Sequence, residues 1–318
     1  MVSAMPLVSV VMPLFNKEQH VFRAIASILA QSVQDFEIVV IDDGSTDGGA
    51  AVVRSIADPR IRLMSQANAG VSVARNNAIA VTRAELIAFC DADDAWKPDF
   101  LANILDLRRE YPQAGAYALN YEMVGADGTH SVGVSSARQP RLLLDPAGFF
   151  EIAKFGTPVF SSSVAVARQS FEKAGLFPAG VKLGEDLDTW IRICFVAPIA
   201  FDVRPGGIYH QDATHRAVVN NPPPERYVFF DTIDRWVAQQ GKLPTKLLDD
   251  IREFKNAFVL VYARHQIRFG SPHEGRRALI ACRTRDFLAQ KWKWLAASFL
   301  PQGLQSAMAG LKSAVRPS

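Results

Sequence analysis

The stretch FCDADD, residues 89–94, decides the fold of this chain. An apolar run over residues 84–90 predicts a buried strand, and that strand ends directly in three carboxylates. Burying an ionised carboxylate without a partner costs several kcal/mol, so this arrangement indicates a bound cation. Oxygen ligands favour Mg²⁺ or Mn²⁺, which usually share their sites with substrate phosphates. The alternative is a solvated acidic turn, and the surrounding sequence bears on the choice.

Outward from this stretch, apolar runs alternate with helical spacings. The predicted strands are residues 7–12, 36–41, 61–64 and 86–90. The sequence predicts three helices. The first follows a capping-box pattern at Asn16 and Gln19, and the other two span residues 48–56 and 69–80. This alternation is typical of an α/β fold with a mainly parallel sheet and helices on both faces. Ligands of such sheets bind beyond the carboxyl ends of the strands, where residues 13–16, 42–45 and 91–94 fall.

The second part of the chain is less regular. The sequence predicts a helix at 98–111, an edge-like strand at 116–123, a helix opening at residues 184–186 and extended chain over 199–210. The run NNPPP at 220–224 is the best candidate boundary. Everything beyond it is predicted helical through about Ala314, with breaks near 270–272 and at Pro301.

Composition is that of a globular protein. The 318 residues are 49% hydrophobic and 21% charged, which excludes a disordered chain. No window approaches the ~20 apolar residues of a spanning helix, and the beginning of the chain does not resemble a signal peptide. The three cysteines, Cys90, Cys194 and Cys282, are scattered, which favours buried thiols in a reducing cytoplasm over disulfides.

Five segments, in this order and spacing, resemble family 2 glycosyltransferases of the GT-A fold. They are residues 8–18, 39–47, 68–76, 91–94 with Trp96, and 184–190. The resemblance implies inverting transfer of a sugar from a nucleotide-diphosphate sugar, a UDP-sugar first and a dTDP-sugar second. The acceptor would be a hydroxyl of a glycan or lipid-linked saccharide in cell-surface polysaccharide synthesis. It also implies a catalytic domain over 1–219, with a donor half of about 1–112 and an acceptor half of about 113–219, followed by a helical region over 220–318.

The resemblance also implies a site for a divalent metal, Mn²⁺ or Mg²⁺. Asp93 would bind the ion, Asp91 would face the ribose and also approach the metal, and Ala92 lies between them in the donor site. A histidine completes this site in the family, and His210 is preferred here over His215. For Asp94, the alternative role of a carboxylate that closes a turn or caps a helix is left open. Thr214 and Arg216 would contact the diphosphate.

The nucleotide contacts follow from the same resemblance. Either Asp42 or Asp43 would accept a hydrogen bond from the pyrimidine N3–H. Alternation along the strand aims the two side chains oppositely, so only one should make this contact, and Asp43 is favoured. The other could cap the helix after Gly48. The remaining expected contacts are Pro13 shaping the turn, Phe15 stacking on the base, Asn16 and Glu18 on the base side, Asn68, and Arg75 reaching the nucleotide. Helix capping for Asn16 and a surface salt bridge for Arg75 are the alternatives.

Asp186 is the expected general base, which would take the proton of the acceptor hydroxyl as its oxygen attacks the anomeric carbon. A position at a helix N-terminus favours the ionised carboxylate. Simple N-capping is the alternative.

The end of the chain is basic. From Arg264 onward ten basic residues stand against Glu274 and Asp286. The run KWKW at 291–294 could lie on an anionic membrane surface, or it could pack on the catalytic domain. Nucleic-acid binding is not expected because no recognition motif accompanies the charge.

Two rival enzyme classes are excluded by the first βα turn. It has neither the Gly-x-Gly-x-x-Gly of dinucleotide-binding enzymes nor the Gly-rich, Arg-bearing loop of sugar nucleotidyltransferases. A non-catalytic sugar- or nucleotide-binding relative remains the alternative to an enzyme.

Overall fold

The computed structural model describes residues 5–135, 139–213 and 217–300. The strands in these residues are β1 (Val8–Leu14), β2 (Phe36–Asp42), β3 (Ile61–Ser65), β4 (Leu86–Phe89), β5 (Ala95–Trp96), β6 (Ala116–Val124), β7 (His130–Val132), β8 (Arg141–Leu144), β9 (Val164–Ala167) and β10 (Ile199–His210). The helices are α1 (Val21–Leu29), α2 (Gly49–Ser55), α3 (Val71–Val81), α4 (Phe100–Glu110), α5 (Pro146–Ala153), α6 (Arg168–Ala174), α7 (Glu185–Val196), α8 (Ala217–Asn220), α9 (Val228–Gln239), α10 (Thr245–Phe269), α11 (Pro272–Ala281) and α12 (Leu288–Ala297). A 3₁₀ turn spans Ser161–Ser163.

All the strands join one sheet of order β3-β2-β1-β4-β9-β6-β10-β5, with β7 added on β6 and β8 on β10. The longest ladders, β1 with β2 and β6 with β10, are parallel. Antiparallel pairs such as β4 with β9 are shorter. The expected α/β fold with a mainly parallel sheet and helices on both faces is therefore confirmed.

Both faces of the sheet are buried, as expected when helices cover both sides. Alternate residues of β1 enter different cores, so that Val10 packs with one cluster and Val11 with the other. The first cluster includes Ile25 of α1 and Leu101 of α4. The second cluster includes Trp190 of α7. This packing places the carboxyl ends of β1, β2 and β4 side by side at one edge.

Two local predictions were wrong. The first helix begins at Val21, and its cap residue His20 makes no side-chain cap bond. Asn16 instead adopts a left-handed conformation with φ of 52°, which turns the chain five residues before the first residue of the helix. The strand predicted to be edge-like, β6, lies between β9 and β10 at the centre of the second half of the sheet.

The C-terminal helices α9 and α10 pack on the core of the sheet. Phe229 of α9 and Phe254 of α10 belong to the same core as the sheet. The Phe195 ring of α7 stacks on Trp236 of α9 with 4.2 Å between ring centroids. The helices α11 and α12 pack on the end of α10 in a small separate cluster. The predicted break at Pro301 and the helix continuing to Ala314 lie outside the described residues.

Candidate active site

A cleft of about 870 Å³ opens where the carboxyl ends of β1, β2 and β4 meet the start of α7. The predicted site residues that line it are Pro13, Phe15, Asp43, Asn68, Arg75, Asp91, Ala92, Asp93 and Asp186. The predicted residues Asn16, Glu18, Asp42 and His210 are not part of this lining. The cleft thus collects these side chains from five separate segments of the sequence.

Asp43 forms the wall of the cleft beyond β2. Its Oδ1 accepts hydrogen bonds from Gln66 Nε2 at 2.7 Å and from the Ala69 N–H at 2.8 Å. Its Oδ2 accepts from the Gly70 N–H at 2.9 Å. The side chain of Asn68 donates to the backbone carbonyl of Asp43 at 2.9 Å. Asp43 is therefore held rigidly, with its carboxylate toward the cleft.

Asp42 points elsewhere, as strand alternation predicts. Its Oδ1 accepts from the Ser45 N–H at 3.0 Å and closes the turn after β2. It does not cap α2. The side chain that bonds the first turn of α2 is Asp47, which accepts from the Gly49 N–H at 2.9 Å.

The loop after β1 is fastened to the loop after β2. Asn16 Oδ1 accepts from the Thr46 N–H at 2.8 Å, and Glu18 Oε2 accepts from the Gly48 N–H at 3.1 Å. These bonds explain why both side chains lie off the cleft. Phe15, in contrast, is 43% exposed and faces the cleft, so its ring is available to a ligand.

Asp93 already has a cationic partner in this chain. Lys17 Nζ lies 2.5 Å from Asp93 Oδ2. Arg23 Nη2 donates to the Asp93 backbone carbonyl at 2.8 Å. Sequence reasoning missed Lys17 because a single lysine in a loop carries no pattern that separates it from a surface residue.

Arg75 connects the two acidic segments of the cleft. Its Nη2 donates to both oxygens of Asp91, at 2.8 and 3.1 Å, and its Nη1 donates to Glu185 Oε1 at 3.1 Å. Only 3% of its side chain is exposed, so the ion pair is buried and the surface salt bridge considered from the sequence is wrong. Burial alone would lower the pKa of Arg75, but Asp91 and Glu185 raise it.

Glu185 is the weaker partner of Arg75. Arg75 holds Asp91 with two hydrogen bonds and Glu185 with one. Burial and the adjacent Asp186 therefore outweigh the guanidinium and raise the pKa of Glu185 to about 7. One hydrogen bond is not sufficient to keep this carboxyl as acidic as a solvated one.

Asp94 is fully buried rather than a solvated turn residue. Ser162 Oγ donates to its Oδ2 at 2.5 Å, and the His210 N–H donates to its Oδ1 at 3.2 Å. Burial, with Asp93 and Asp91 adding to it, raises the pKa of Asp94 well above its usual range. Asp94 thereby ties the end of β10 to the acidic loop.

His210 stands at the end of β10, and Asp93 is close enough to influence its charge. Burial lowers the pKa of His210, as does the positive charge of Arg23, while Asp212 and Asp93 oppose the shift. A neutral imidazole is the form that binds metals. The alternative His215, with Thr214 and Arg216, lies outside the described residues.

Asp186 lies in the first turn of α7 and lines the cleft. Ser161 Oγ donates to Asp186 Oδ2 at 3.0 Å, and the Leu187 N–H donates to Oδ1 at 2.7 Å. The cap residue of the helix is Gly184, at φ of 83°. A side chain there would come within 2.8 Å of the Phe229 ring. Asp186 is thus not the N-cap, and its carboxylate is open to the cleft.

A divalent cation fits this donor set. Asp93 and Asp91 offer carboxylate oxygens and His210 offers a neutral imidazole. Asp93 already binds one cationic group. Among the described residues, no three His, Cys, Asp or Glu side chains cluster closely enough to hold a metal by themselves. The remaining ligands would be substrate phosphates and water, which is usual for Mg²⁺.

Comparisons with known proteins agree on one family. Residues 9–142 match the family described as Glycosyl transferase family 2. The chain is 35% identical over 127 residues to the putative teichuronic acid biosynthesis glycosyltransferase TuaG of Bacillus subtilis, covering 39% of this chain and 50% of that protein. It is 30% identical over 192 residues to the putative colanic acid biosynthesis glycosyl transferase WcaA of Escherichia coli, covering 59% of this chain and 66% of that protein.

The matches cover only part of these proteins. The chain spans 32% of an uncharacterized Nostoc glycosyltransferase to which it is 41% identical, and half of TuaG. Among solved structures, residues 1–349 of S. aureus TarS in complex with UDP-GlcNAc superpose with a TM-score of 0.71 at 17% identity. That superposition covers 95% of this chain and 86% of the TarS chain, and it shows a shared fold.

Proposed function

This chain belongs to glycosyl transferase family 2, and we propose that it transfers a sugar, with inversion, from a nucleotide-diphosphate sugar to a hydroxyl group. The observation that carries the proposal is the content of one cleft. A rigid aspartate, Asp43, lies on one wall. The acidic pair Asp91 and Asp93 and the carboxylate of Asp186 line the same cleft. These are the groups needed to hold a nucleotide, neutralise a diphosphate and accept a proton.

The proposed donor is a UDP-sugar, with a dTDP-sugar as second choice. An ionised carboxylate offers about four acceptor positions. The three donors on Asp43 leave one of them for the N3–H of uracil or thymine. Phe15 would stack on the base with its exposed ring, while Pro13 and Asn68 shape the wall. The solved complex of the structural neighbour TarS contains UDP-GlcNAc, which supports this choice.

The diphosphate would sit at the acidic loop. Asp93 and Asp91, with His210, would hold a Mn²⁺ or Mg²⁺ ion, and Ala92 keeps the loop compact between them. The ion, when bound, neutralises the charge that grows on the departing diphosphate. The Lys17 ammonium, now on Asp93, would add a second positive charge close to the phosphates. Arg75 would act by fixing Asp91, since its guanidinium is already bound to two carboxylates.

Asp186 would act as the general base. Its carboxylate accepts the proton of the acceptor hydroxyl while that oxygen forms a bond to the anomeric carbon. The bond from the anomeric carbon to the diphosphate breaks on the other face, so the anomeric configuration inverts. The acceptor proposed here is a glycan or lipid-linked saccharide of a cell-surface polysaccharide. The named roles of TuaG and WcaA support that choice.

A donor screen tests the proposal. Purified protein is incubated with nucleotide sugars and saccharide acceptors, and UDP release is measured with Mn²⁺ and with EDTA. We expect release with one donor class in Mn²⁺ and its loss in EDTA. UDP binding without release from any donor would instead support the non-catalytic binding protein. No binding of UDP or dTDP would contradict both.

We also propose that the protein works in the cytoplasm at the inner face of the cell membrane. None of the helices in the described residues is long and apolar enough to span a bilayer. The proposed surface contact is made by α12, where Trp292 is 60% exposed between Lys291 and Lys293. Interfacial tryptophan with flanking lysines is typical of helices that lie on anionic membranes.

Flotation on vesicles containing anionic lipid tests the membrane contact. The Trp292→Ala variant should float less than the wild type, and the decrease should be largest at low salt. Phe22→Ala, which removes an equally exposed aromatic ring from α1, is the matched control. Equal flotation of all three proteins would contradict a contact through α12.

A further inference from the structure

The three consecutive serines Ser161–Ser163, here called the triple-serine turn, connect the two sides of the cleft. All three are buried, at 2% exposure or less. A run of buried serines in an apolar core is costly unless each hydroxyl is bonded. Where those hydroxyls are directed therefore indicates what the turn does.

Adjacent hydroxyls of the turn reach opposite walls. Ser161 Oγ donates to Asp186 Oδ2 at 3.0 Å, toward α7. Ser162 Oγ donates to Asp94 Oδ2 at 2.5 Å and accepts from the Asp91 N–H at 3.0 Å, toward the acidic loop. Two neighbouring residues thus make side-chain bonds to both of the acidic segments that line the cleft.

The turn itself is fixed from behind. Trp96 Nε1 donates to the Ser162 carbonyl at 2.9 Å. Gly207 of β10 packs so closely that a Cβ there would lie 2.6 Å from the same carbonyl oxygen. Ser163 Oγ bonds only the backbone of Phe160, within the turn. The turn therefore has little freedom to shift, so the two hydroxyls hold their partners at a set separation.

We propose that the triple-serine turn fixes the general base relative to the donor site, with Ser161 as a positioning residue for Asp186 and Ser162 as a positioning residue for the acidic loop. This inference rests on the proposed function. It adds that the distance between the proton acceptor and the bound diphosphate is set by residues other than the general base and the proposed metal ligands. A shift of about 1 Å in such a distance can cost about 100-fold in rate.

Single serine variants test the inference in steady-state transfer assays combined with UDP titration in Mn²⁺. Ser161→Ala should lower kcat by about tenfold, the loss of one hydrogen bond to a charged group, with the donor KM and UDP affinity unchanged. Ser162→Ala should show the opposite pattern, with weakened UDP affinity. The matched control is Ser170→Ala, a buried serine away from the cleft whose hydroxyl bonds only the Gly115 carbonyl, and it should match the wild type.

Ser161→Cys covers the case in which the alanine variant fails to fold. It keeps the side-chain volume but supplies only a weak donor, so it should reproduce the selective loss of kcat. Equal kcat for the Ser161 and Ser170 variants would overturn the positioning role. So would a loss of UDP affinity in Ser161→Ala as large as its loss of kcat. If the wild type releases UDP normally, only this inference fails; a wild type without turnover overturns the proposed function as well.

Discussion

Two parts of the cleft are built in different ways. The donor wall contains Phe15, Asp43, Asp91 and Asp93, and the acceptor wall contains Ser161, Glu185 and Asp186. The donor wall consists of loops that directly follow neighbouring parallel strands, and its main bonds run between residues about 25 to 30 positions apart, as from Asp43 to Ala69. The acceptor wall reaches the same cleft through bonds across much longer separations, such as Arg75 with Glu185 and His210 with Asp94. One wall follows directly from the sheet, whereas the other packs on the sheet through the apolar face of α7 and is bonded to the donor side of the cleft by a few polar side chains.

This difference predicts different consequences of mutation. Changes in the donor wall should affect nucleotide affinity, since that wall keeps its shape without the rest of the site. Changes in the side chains that bond the acceptor wall to the rest of the cleft, such as Arg75, should affect turnover or stability. Such changes move or release the acceptor wall. The variants below are ordered by the size of the effect expected.

The largest effect is expected from Asp186→Asn, which keeps the shape of the side chain but removes its basicity. Loss of a general base typically costs about 100- to 10,000-fold in rate, so kcat should fall within that range. UDP affinity in Mn²⁺ should stay at the wild-type value because Asp186 is on the acceptor wall. Asp231→Asn, on the exposed surface of α9, is the control. Turnover of the Asp186 variant near the control value would remove it from the role of base.

Arg75→Met should have the next largest effect, on stability. It removes the only charge that partners both Asp91 and Glu185 in the part of the chain that the structure describes, so two carboxylates are left facing one another. Breaking a buried ion pair by removing one partner costs about 3–5 kcal/mol, and chemical denaturation should show a loss of that order. Arg83→Met removes a half-exposed partner of Glu37, which keeps Arg62 as well, and should cost much less. Similar losses for both variants would contradict a special role of the Arg75 attachment.

The sequence could predict the donor wall well because its pattern is local. Buried strands that end in Asp43 and Asp91 are visible as apolar runs, and parallel pairing brings their ends together by rule. Strand alternation indicated that only one of Asp42 and Asp43 faces the ligand, with Asp43 favoured and the choice left open, and the order of the four strands was not predicted. Asn16 was misread since its capping pattern competes with a left-handed turn, which asparagine tolerates and which local sequence does not distinguish.

The acceptor wall was predicted only where a family motif exists. Asp186 was found through such a motif, but Ser161 and Ser162 were not. Their roles depend on bonds such as Ser162 to Asp94, which join residues 68 positions apart. Periodicity carries no information about such pairs. Likewise, β6 looks like an edge strand in isolation, and only the pairing of β9 and β10 with it makes it central.

Asp43→Asn should have a smaller effect, confined to nucleotide binding. The neutral amide keeps one acceptor oxygen but has to place its NH₂ group against the N–H donors that now bond the second oxygen. UDP affinity should fall by about tenfold, the value of one hydrogen bond to a charged group. Asp42→Asn, whose side chain closes a turn off the cleft, should bind UDP like the wild type. Calorimetric titration of UDP into both variants measures this difference. Equal UDP affinities of the two variants would contradict the assignment of the base contact to Asp43.

Measured per pH unit, the smallest effect is a pH dependence of stability that originates at Glu185. Its pKa is raised to about 7 in the folded protein, above the ordinary 4.5, mainly because it is buried and lies beside Asp186. The folded state therefore binds more protons between these two values. The contribution of Glu185 to stability is fully present below pH 4.5 and is lost as the pH rises through 7, by at most about 1.4 kcal/mol per pH unit.

Glu185→Gln isolates the contribution of Glu185 to the pH dependence of stability because the amide does not titrate. The free energy of unfolding of the wild type minus that of the variant should decrease from pH 4.5 to 7 and level off above 7. Denaturant titrations at several pH values measure this difference.

The reference variant is Glu37→Gln, whose stability difference should change with pH in the opposite sense. Burial opposes ionisation of Glu37, but hydrogen bonds from Ser9, Arg83 and Arg62 together lower its pKa, so its stabilisation is lost as the pH falls through that lowered value. A wild-type-minus-variant difference for Glu185 that rises with pH would mean that Arg75 holds both carboxylates equally, and that the attachment of the acceptor wall is stronger than one hydrogen bond.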